Sequence, residues 1–219
     1  FAAMARLASV ITTASKPSRI ALLGVPIEIG ASQPGPLMGP DALRTAGIAR
    51  LLEQLDFQVD DHGNLAIPAV VADGPVPANT KFYDEVKTWT RAVSERAYWL
   101  AHSGAIPIFM GGDHSLSMGS INGVARYWKE RDRPLFALWV DAHADYNTPA
   151  TTITGNMHGM SAAFLCGEDG LLGGLFGEDG QAFRGHVGET AFVLRQALAT
   201  HQEDVPQAAG KPAQIGRAH

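Results

Sequence analysis

An α/β fold, with a mostly parallel sheet and crossover helices, is the class this sequence predicts, and three observations predict it. From residue 19 onward, short apolar runs alternate with stretches of helical periodicity, which is the pattern of strands joined by helices. Two of those runs end in polar clusters, Gly111-Gly112-Asp113-His114-Ser115 and Asp141-Ala142-His143-Ala144-Asp145. Open α/β sheets keep their chemistry at such carboxyl strand ends. Finally, 219 residues at 46% apolar composition suffice for one domain with a sizeable core.

Residues 1–18 read as an N-terminal arm, since no compact apolar region precedes a clear cleavage site there. Residues 20–25 form an unbroken apolar run ended by Pro26, hence a buried strand, and a Gly/Pro-rich loop follows as far as Pro40. Residues 41–55 place Leu43, Ala46, Gly47, Ile48, Leu51, Leu52 and Leu55 on one helical stripe, with Asp41 in the first turn. Residues 57–61 alternate as a strand does. Residues 81–102 predict a long helix carrying Val86, Trp89, Val93, Ala97 and Leu100, residues 105–110 a strand, 116–130 a helix and 135–140 a strand. The loops at 25–40 and 141–158 exceed the usual connection length, a common mark of function. An α/β domain is therefore expected over 19–165. Residues 166–219 read as an atypical, disordered tail in which Gly167-Glu168-Asp169-Gly170 recurs as Gly177-Glu178-Asp179-Gly180 and 190–199 is the one convincing helix. The closing Ile215-Gly216-Arg217-Ala218-His219 reads as a translated adapter, so the chain is expected to be C-terminally incomplete.

The net charge of −5, with 17 scattered basic residues, leaves no basic footprint, so nucleic acid is not an expected partner. No apolar stretch reaches the roughly 20 residues that span a bilayer, so no membrane association is expected. The single Cys166 excludes an intrachain disulfide framework and fits a reducing cytoplasm.

In an extended segment, residues two apart share a face, so Asp141, His143 and Asp145 would converge on one spot, with His114 and Asp113 arriving from the neighbouring strand end. Carboxylate and imidazole without thiolate suit Mn²⁺, Fe²⁺, Co²⁺, Ni²⁺ or Zn²⁺, and oxygen-rich ligation favours manganese. A central carboxylate flanked by ligands can bridge two ions about 3.5–4 Å apart, a pair that makes hydroxide from water at neutral pH. The plainer alternative makes His114 and His143 hydrogen-bonded core histidines and the aspartates turn or helix caps.

The motifs resemble those of the arginase/agmatinase (ureohydrolase) superfamily, over residues 19–165. Gly111-Gly112-Asp113-His114-Ser115 and Asp141-Ala142-His143-Ala144-Asp145 are similar to its first two metal motifs in order and spacing. The run from Asn147 through Thr152, Ile153, Thr154, Gly155, Asn156 and His158 to Gly159 resembles the arginase loop that binds the amino-acid end of arginine. Gly24-Val25-Pro26, Gly39-Pro40-Asp41 and Leu43-Arg44 fit the family's opening.

The resemblance implies a three-layer α-β-α architecture and hydrolysis of L-arginine to L-ornithine and urea by hydroxide on a pair of Mn²⁺ ions per subunit. It implies His114 and Asp145 on one ion, His143 on the other, Asp141 as a bridge and Asp113 behind them. It makes His158 the proton shuttle, a role suited to imidazole. Asn147 and Thr154 would bind the substrate α-carboxylate directly, and Thr152 and Asn156 through water. The family usually has Ser where Thr154 stands, and the hydroxyl is retained. Turn or capping duty is the plainer reading of each loop residue taken singly. Trimers or hexamers are also implied.

The third metal motif of the family, Ser-x-Asp-x-Asp-x-x-Asp-Pro, has no counterpart here, nor does its guanidinium-binding acid. The pairs Glu168-Asp169, Glu178-Asp179 and Glu203-Asp204 are adjacent and read as solvated loop. The second ion would then keep only Asp141 and His143. Two other readings follow: a ureohydrolase of the agmatinase or guanidinobutyrase type, against which the 147–159 loop argues, and an inactive fragment.

Overall fold

The computed structural model describes residues 19–66 and 69–168, together with the backbone of 191–194. The arm read at 1–18, the adapter-like end and the pairs Glu178-Asp179 and Glu203-Asp204 lie outside the described residues. At the centre runs β1 (Arg19–Val25), parallel to β2 (Gln58–Asn64) on one side and to β3 (Ile106–Gly111) on the other. Its residues from Ile20 to Val25 are all buried, as the unbroken apolar run requires of a strand covered on both faces.

Helices supply both covers. On one face Ile20, Leu22 and Met110 meet Ile48, Ala49 and Leu52 of the short helix α2 (Ile48–Gln54). On the other, Ala21, Leu23 and Val25 meet Trp89, Val93 and Leu100 of α3 (Tyr83–His102). That is a parallel sheet between helical layers, as expected. Against α3 lies α4 (Leu116–Lys129), which approaches through Gly119 and Gly123, one turn apart. A Cβ on Gly119 would stand 2.5 Å from the Thr90 carbonyl, and one on Gly123 would overlap the Ser94 carbonyl. Between them Ser94 Oγ donates to Asn122 Oδ1 across 2.8 Å.

The helix read at 41–55 is in fact two. The first, α1 (Gly39–Thr45), stops before Gly47, whose φ of +89° is left-handed, and α2 begins a new axis beyond it. Glycine stops a helix this way because it adopts that conformation without a Cβ clash. Gly47 is therefore a break in the expected stripe and not an apolar position of it, and Leu51 and Leu55 are exposed.

The last strand before the site, β4 (Leu138–Asp141), pairs in parallel with β5 (Ala191–Leu194) as a separate two-stranded ladder. The helix read at 190–199 is thus a strand at 191–194, where β4 offers an open edge to the Phe-Val-Leu run. A helix that the sequence pattern did not suggest, α5 (Ser161–Cys166), follows a 3-10 turn at Met157–Met160. Residues Ser161, Ala162, Ala163, Phe164 and Leu165 are all buried, so no polar face marks its period. Its Phe164 joins Trp139, Met118, Met157, Met160 and Tyr83 in a third apolar cluster directly beneath the strand ends. Among the described residues no helix is long and apolar enough to cross a membrane.

Candidate metal centre

Two strand ends meet at His114. The chain leaves β3 at Gly111, turns through Asp113 and enters α4, which sets His114 at the helix start. There Nδ1 lies 2.9 Å from Asp141 Oδ2 and 2.7 Å from Asp145 Oδ2. The imidazole stacks on the Trp139 indole, with centroids 4.6 Å apart and planes at 23°, so β4 supplies both a carboxylate and a platform.

Strand geometry does not carry the pentapeptide beyond Asp141. The strand ends there, His143 N–H folds back onto Asp141 Oδ1 at 2.8 Å, and Asp145 takes a left-handed φ of +48°. Alternation along a strand would bring Asp141, His143 and Asp145 to one point. Instead the close group is His114, Asp141 and Asp145, whose ligand atoms lie within 4.8 Å of one another. The His143 side chain is 82% exposed, with Nδ1 3.4 Å from Asp141 Oδ1. Asp145 is held in its unusual conformation by α5, whose Ala162 and Ala163 N–H groups donate to its carbonyl at 2.9 and 3.3 Å.

This group fits a divalent cation. A single imidazole hydrogen cannot serve two carboxylates, and the buried Asp145 Oδ2 has no hydrogen bond of proper geometry although Nδ1 is close. A buried carboxylate oxygen left so is costly unless a cation joins it. The Asp145 carboxylate raises the His114 imidazole above its ordinary pKa, more than burial lowers it, and the Asp141 and Asp113 charges add to the rise. Burial works to raise Asp141, but the His143 N–H and the His114 and His143 imidazoles hold its carboxyl below the ordinary range. His114, Asp141 and Asp145 would hold one ion, while among the described residues a second would find only Asp141 and His143.

Asp113 faces away from this group. Its Oδ1 accepts the Ser115 N–H at 2.9 Å and the Ser115 hydroxyl, and its Oδ2 accepts the Ala31 N–H at 2.9 Å, so it staples the first loop to the start of α4. The stapled loop then reaches His158. The Gly30 carbonyl lies 3.0 Å from His158 Nδ1, and because a carbonyl only accepts, Nδ1 carries the hydrogen and, in the neutral ring, Nε2 the lone pair. Asn156 is gripped by the same loop, accepting from Ser32 Oγ at 2.9 Å and donating to the Ala31 carbonyl at 3.0 Å.

The remaining loop residues line the same cavity. Its volume is about 600 Å³, and its walls include His114, Asp141, His143, Asp145, Asn147, Thr152, Thr154, Asn156 and His158, every candidate except Asp113. Thr152 Oγ1 accepts the Gly155 N–H at 3.0 Å and Thr154 Oγ1 accepts the Asn156 N–H at 3.2 Å. Each hydroxyl therefore does turn duty and keeps its own hydrogen to donate. Gly30, Ser32 and Trp139 carried no signal in the sequence, because their parts depend on partners far along the chain.

Fold and site together define a parallel α/β protein that gathers an imidazole–carboxylate cation site at its strand ends, beside a loop of polar donors. The model described as "Arginase family" matches residues 18–187, and the chain belongs to the arginase family. An arginase of Agrobacterium fabrum is 44% identical over 153 residues, covering 69% of this chain and 47% of that protein. Arginase-1 of Rattus norvegicus is 39% identical over 156 residues, covering 70% of this chain and 46% of that protein. A crystal structure of arginase from Bacillus cereus superposes with a TM-score of 0.60 at 32% identity, covering 68% of this chain and 48% of that one. The chain spans about half the length of the curated relatives it matches.

Proposed function

We propose that this chain carries the metal group and amino-acid loop of an L-arginine hydrolase that releases L-ornithine and urea. The observation that carries the reading is the sharing of one cavity by the His114–Asp141–Asp145 group and the donors of the 147–156 loop. Manganese suits this oxygen-rich donor set, and divalent ions, when bound, supply water activated at neutral pH. The residues of the chain do the rest. Asn147 and Thr154 are suited to donate to the α-carboxylate, and Thr152 and Asn156 to reach it through water. These contacts hold the guanidinium carbon over the metal group. His158, its Nδ1 fixed on Gly30, offers Nε2 to carry a proton to the departing δ-nitrogen as its bond to the guanidinium carbon breaks. Agmatine lacks the carboxylate and would leave the loop donors unpaired, the kind of mismatch that discriminates strongly.

A second reading, a chain that keeps the motifs without turnover, is favoured by one observation: among the described residues the second ion finds only Asp141 and His143. Manganese content per chain, measured beside urea release from L-arginine and from agmatine, separates the two. About two ions, with urea from L-arginine in preference to agmatine, supports the hydrolase. One ion or fewer without urea supports the second reading, and preference for agmatine sinks the assignment of the loop.

A further inference from the structure

The 147–156 loop is also gripped from outside, by the segment that leads into α3. Asn79, from that segment, donates its side-chain amide to the Thr152 carbonyl at 2.9 Å and to the Pro149 carbonyl at 3.2 Å. Lys81 N–H donates to the Gly155 carbonyl at 2.9 Å. Within the loop itself, backbone-to-backbone bonds run from Thr151 and Thr152 N–H to the Thr148 carbonyl, at 3.0 and 2.9 Å. The Pro149, Thr152 and Gly155 carbonyls are met instead by Asn79 and Lys81, some seventy positions earlier, and Asn79 takes two of the three.

Asparagine suits this position for two separate reasons. Its φ of +58° is left-handed, a conformation Asn tolerates better than most residues, and its amide brings two hydrogens for two carbonyls. Glycine would meet the first need alone. Fit is close on the loop side too, since a Cβ on Gly155, itself at φ +75°, would stand 3.2 Å from the Asn79 carbonyl. The segment is anchored in turn. The fully buried Lys87 of α3 places Nζ 2.7 Å from the Asp73 carbonyl, and Thr80 Oγ1 donates to the Pro77 carbonyl at 2.7 Å.

We propose that Asn79 is a positioning residue for substrate selectivity: by holding the Pro149 and Thr152 carbonyls it fixes the loop shape that presents Asn147 and Thr154 to an α-amino-acid carboxylate. The proposal rests on the arginine reading of that loop. Asn79 touches no metal ligand, so it acts on recognition of the amino-acid end and leaves the cation site alone.

The test uses the full chain loaded with Mn²⁺ and two variants. Asn79→Gly keeps the backbone conformation and deletes the donors, and Asn79→Asp keeps the shape and sets acceptors against the two carbonyls. Hydrogen exchange is followed by mass spectrometry without ligand, and L-arginine and agmatine affinities by calorimetry. Losing two hydrogen bonds should speed exchange of the 147–156 peptide about tenfold, with α3 and α4 peptides unchanged. L-arginine affinity should fall about tenfold while that of agmatine stays within about twofold. An unchanged loop peptide, or an unchanged arginine-to-agmatine ratio, overturns the proposal, as does faster exchange spread equally through α3 and α4. If the parent chain itself does not prefer L-arginine, the functional reading and the selectivity role fall together. The exchange arm separates that failure from a failure of Asn79 to hold the loop.

Discussion

Replacing Lys87 with methionine removes an ammonium group from the interior and keeps most of the stem. Lys87 is fully buried, and its Nζ lies 2.7 Å from each of three acceptors: the Asp73 carbonyl, Asp73 Oδ1 and Asp84 Oδ1. Stranding one partner of a fully buried pair costs about 3–5 kcal/mol. Here the carboxylates left behind are not stranded, since the Asp73 side chain is 50% exposed and that of Asp84 21%. Water takes over part of the lost pairing, and the expected destabilisation is about 1–2 kcal/mol. In a domain of this size that lowers Tm by about 2–8 °C.

The pH dependence of this loss has a definite sign. Hydrogen bonds from Lys87 first, and then Arg91, lower the Asp73 carboxyl to about 2. A depressed carboxyl contributes stability above its unfolded pKa of about 4, and loses it as pH falls through the folded value. Burial works to lower Lys87, but hydrogen bonds to Asp73 and Asp84 leave it raised, so its contribution is complete below about pH 10.4 and fades as pH rises through the folded value. Calorimetric melts of the parent and Lys87→Met should therefore differ by a constant amount through neutral pH, and converge as pH falls from about 4 toward 2. A variant melting within about 1 °C of the parent at pH 7, or a gap that widens in acid, would refute the reasoning.

Three further outcomes follow from the site and the packing. Asp145→Asn should weaken Mn²⁺ binding by about 100-fold or more, read by titration calorimetry, because it removes a buried ligand from the closest cation group. The raised His114 imidazole stabilises the metal-free protein below its unfolded pKa of about 6.5, and that stability is lost as pH rises through the folded value. A metal must displace this proton, so Mn²⁺ affinity should climb from pH 6 to pH 8 with proton release on binding, and a flat affinity would remove His114 from the ligand set. Gly123→Val would drive a side chain into the Ser94 carbonyl and the Ala97 Cβ, and should cost about 3 kcal/mol or more in urea unfolding.

What the sequence made legible was whatever burial imposes with a regular period. β1 could be read because both its faces are covered, and α3 because Val86, Trp89, Val93, Ala97 and Leu100 form one stripe. Where the backbone leaves regular conformations the pattern misleads. Gly47 counted as an apolar helix position and instead divides the helix, and Asp145 counted as a strand residue and instead turns left-handed. That turn is why Asp145 meets His114 while His143 points out to solvent. For α5 there was no period to read, because all its residues but one are buried. The bonds that shape the site, from Asn156 to Ala31 and from Asn79 to Thr152, join residues 125 and 73 positions apart, and local spacing holds no trace of them.

Those long-range bonds also divide the site into two mechanical parts. The cation group is carried by the ends of β3 and β4 and by the Asp145 carbonyl under α5. The loop is clamped between the first loop, through Ala31 and Ser32, and the segment before α3, through Asn79 and Lys81. Residues 145 and 147 share support at their base, where the Asn147 N–H donates to the Gly159 carbonyl at 3.1 Å just before α5, but the Asn79 and Lys81 bonds reach the loop alone. Damage to one part should therefore spare the other: Asp145→Asn should lose the metal with the 147–156 peptide still protected, and Asn79→Gly should free that peptide with Mn²⁺ affinity unchanged. Exchange measured beside metal titration on both variants gives a crossed pattern if the supports are independent. Loss of both properties in either variant would mean that loop and metal group form one cooperative unit, and that the amino-acid loop is organised by the cation rather than by the fold.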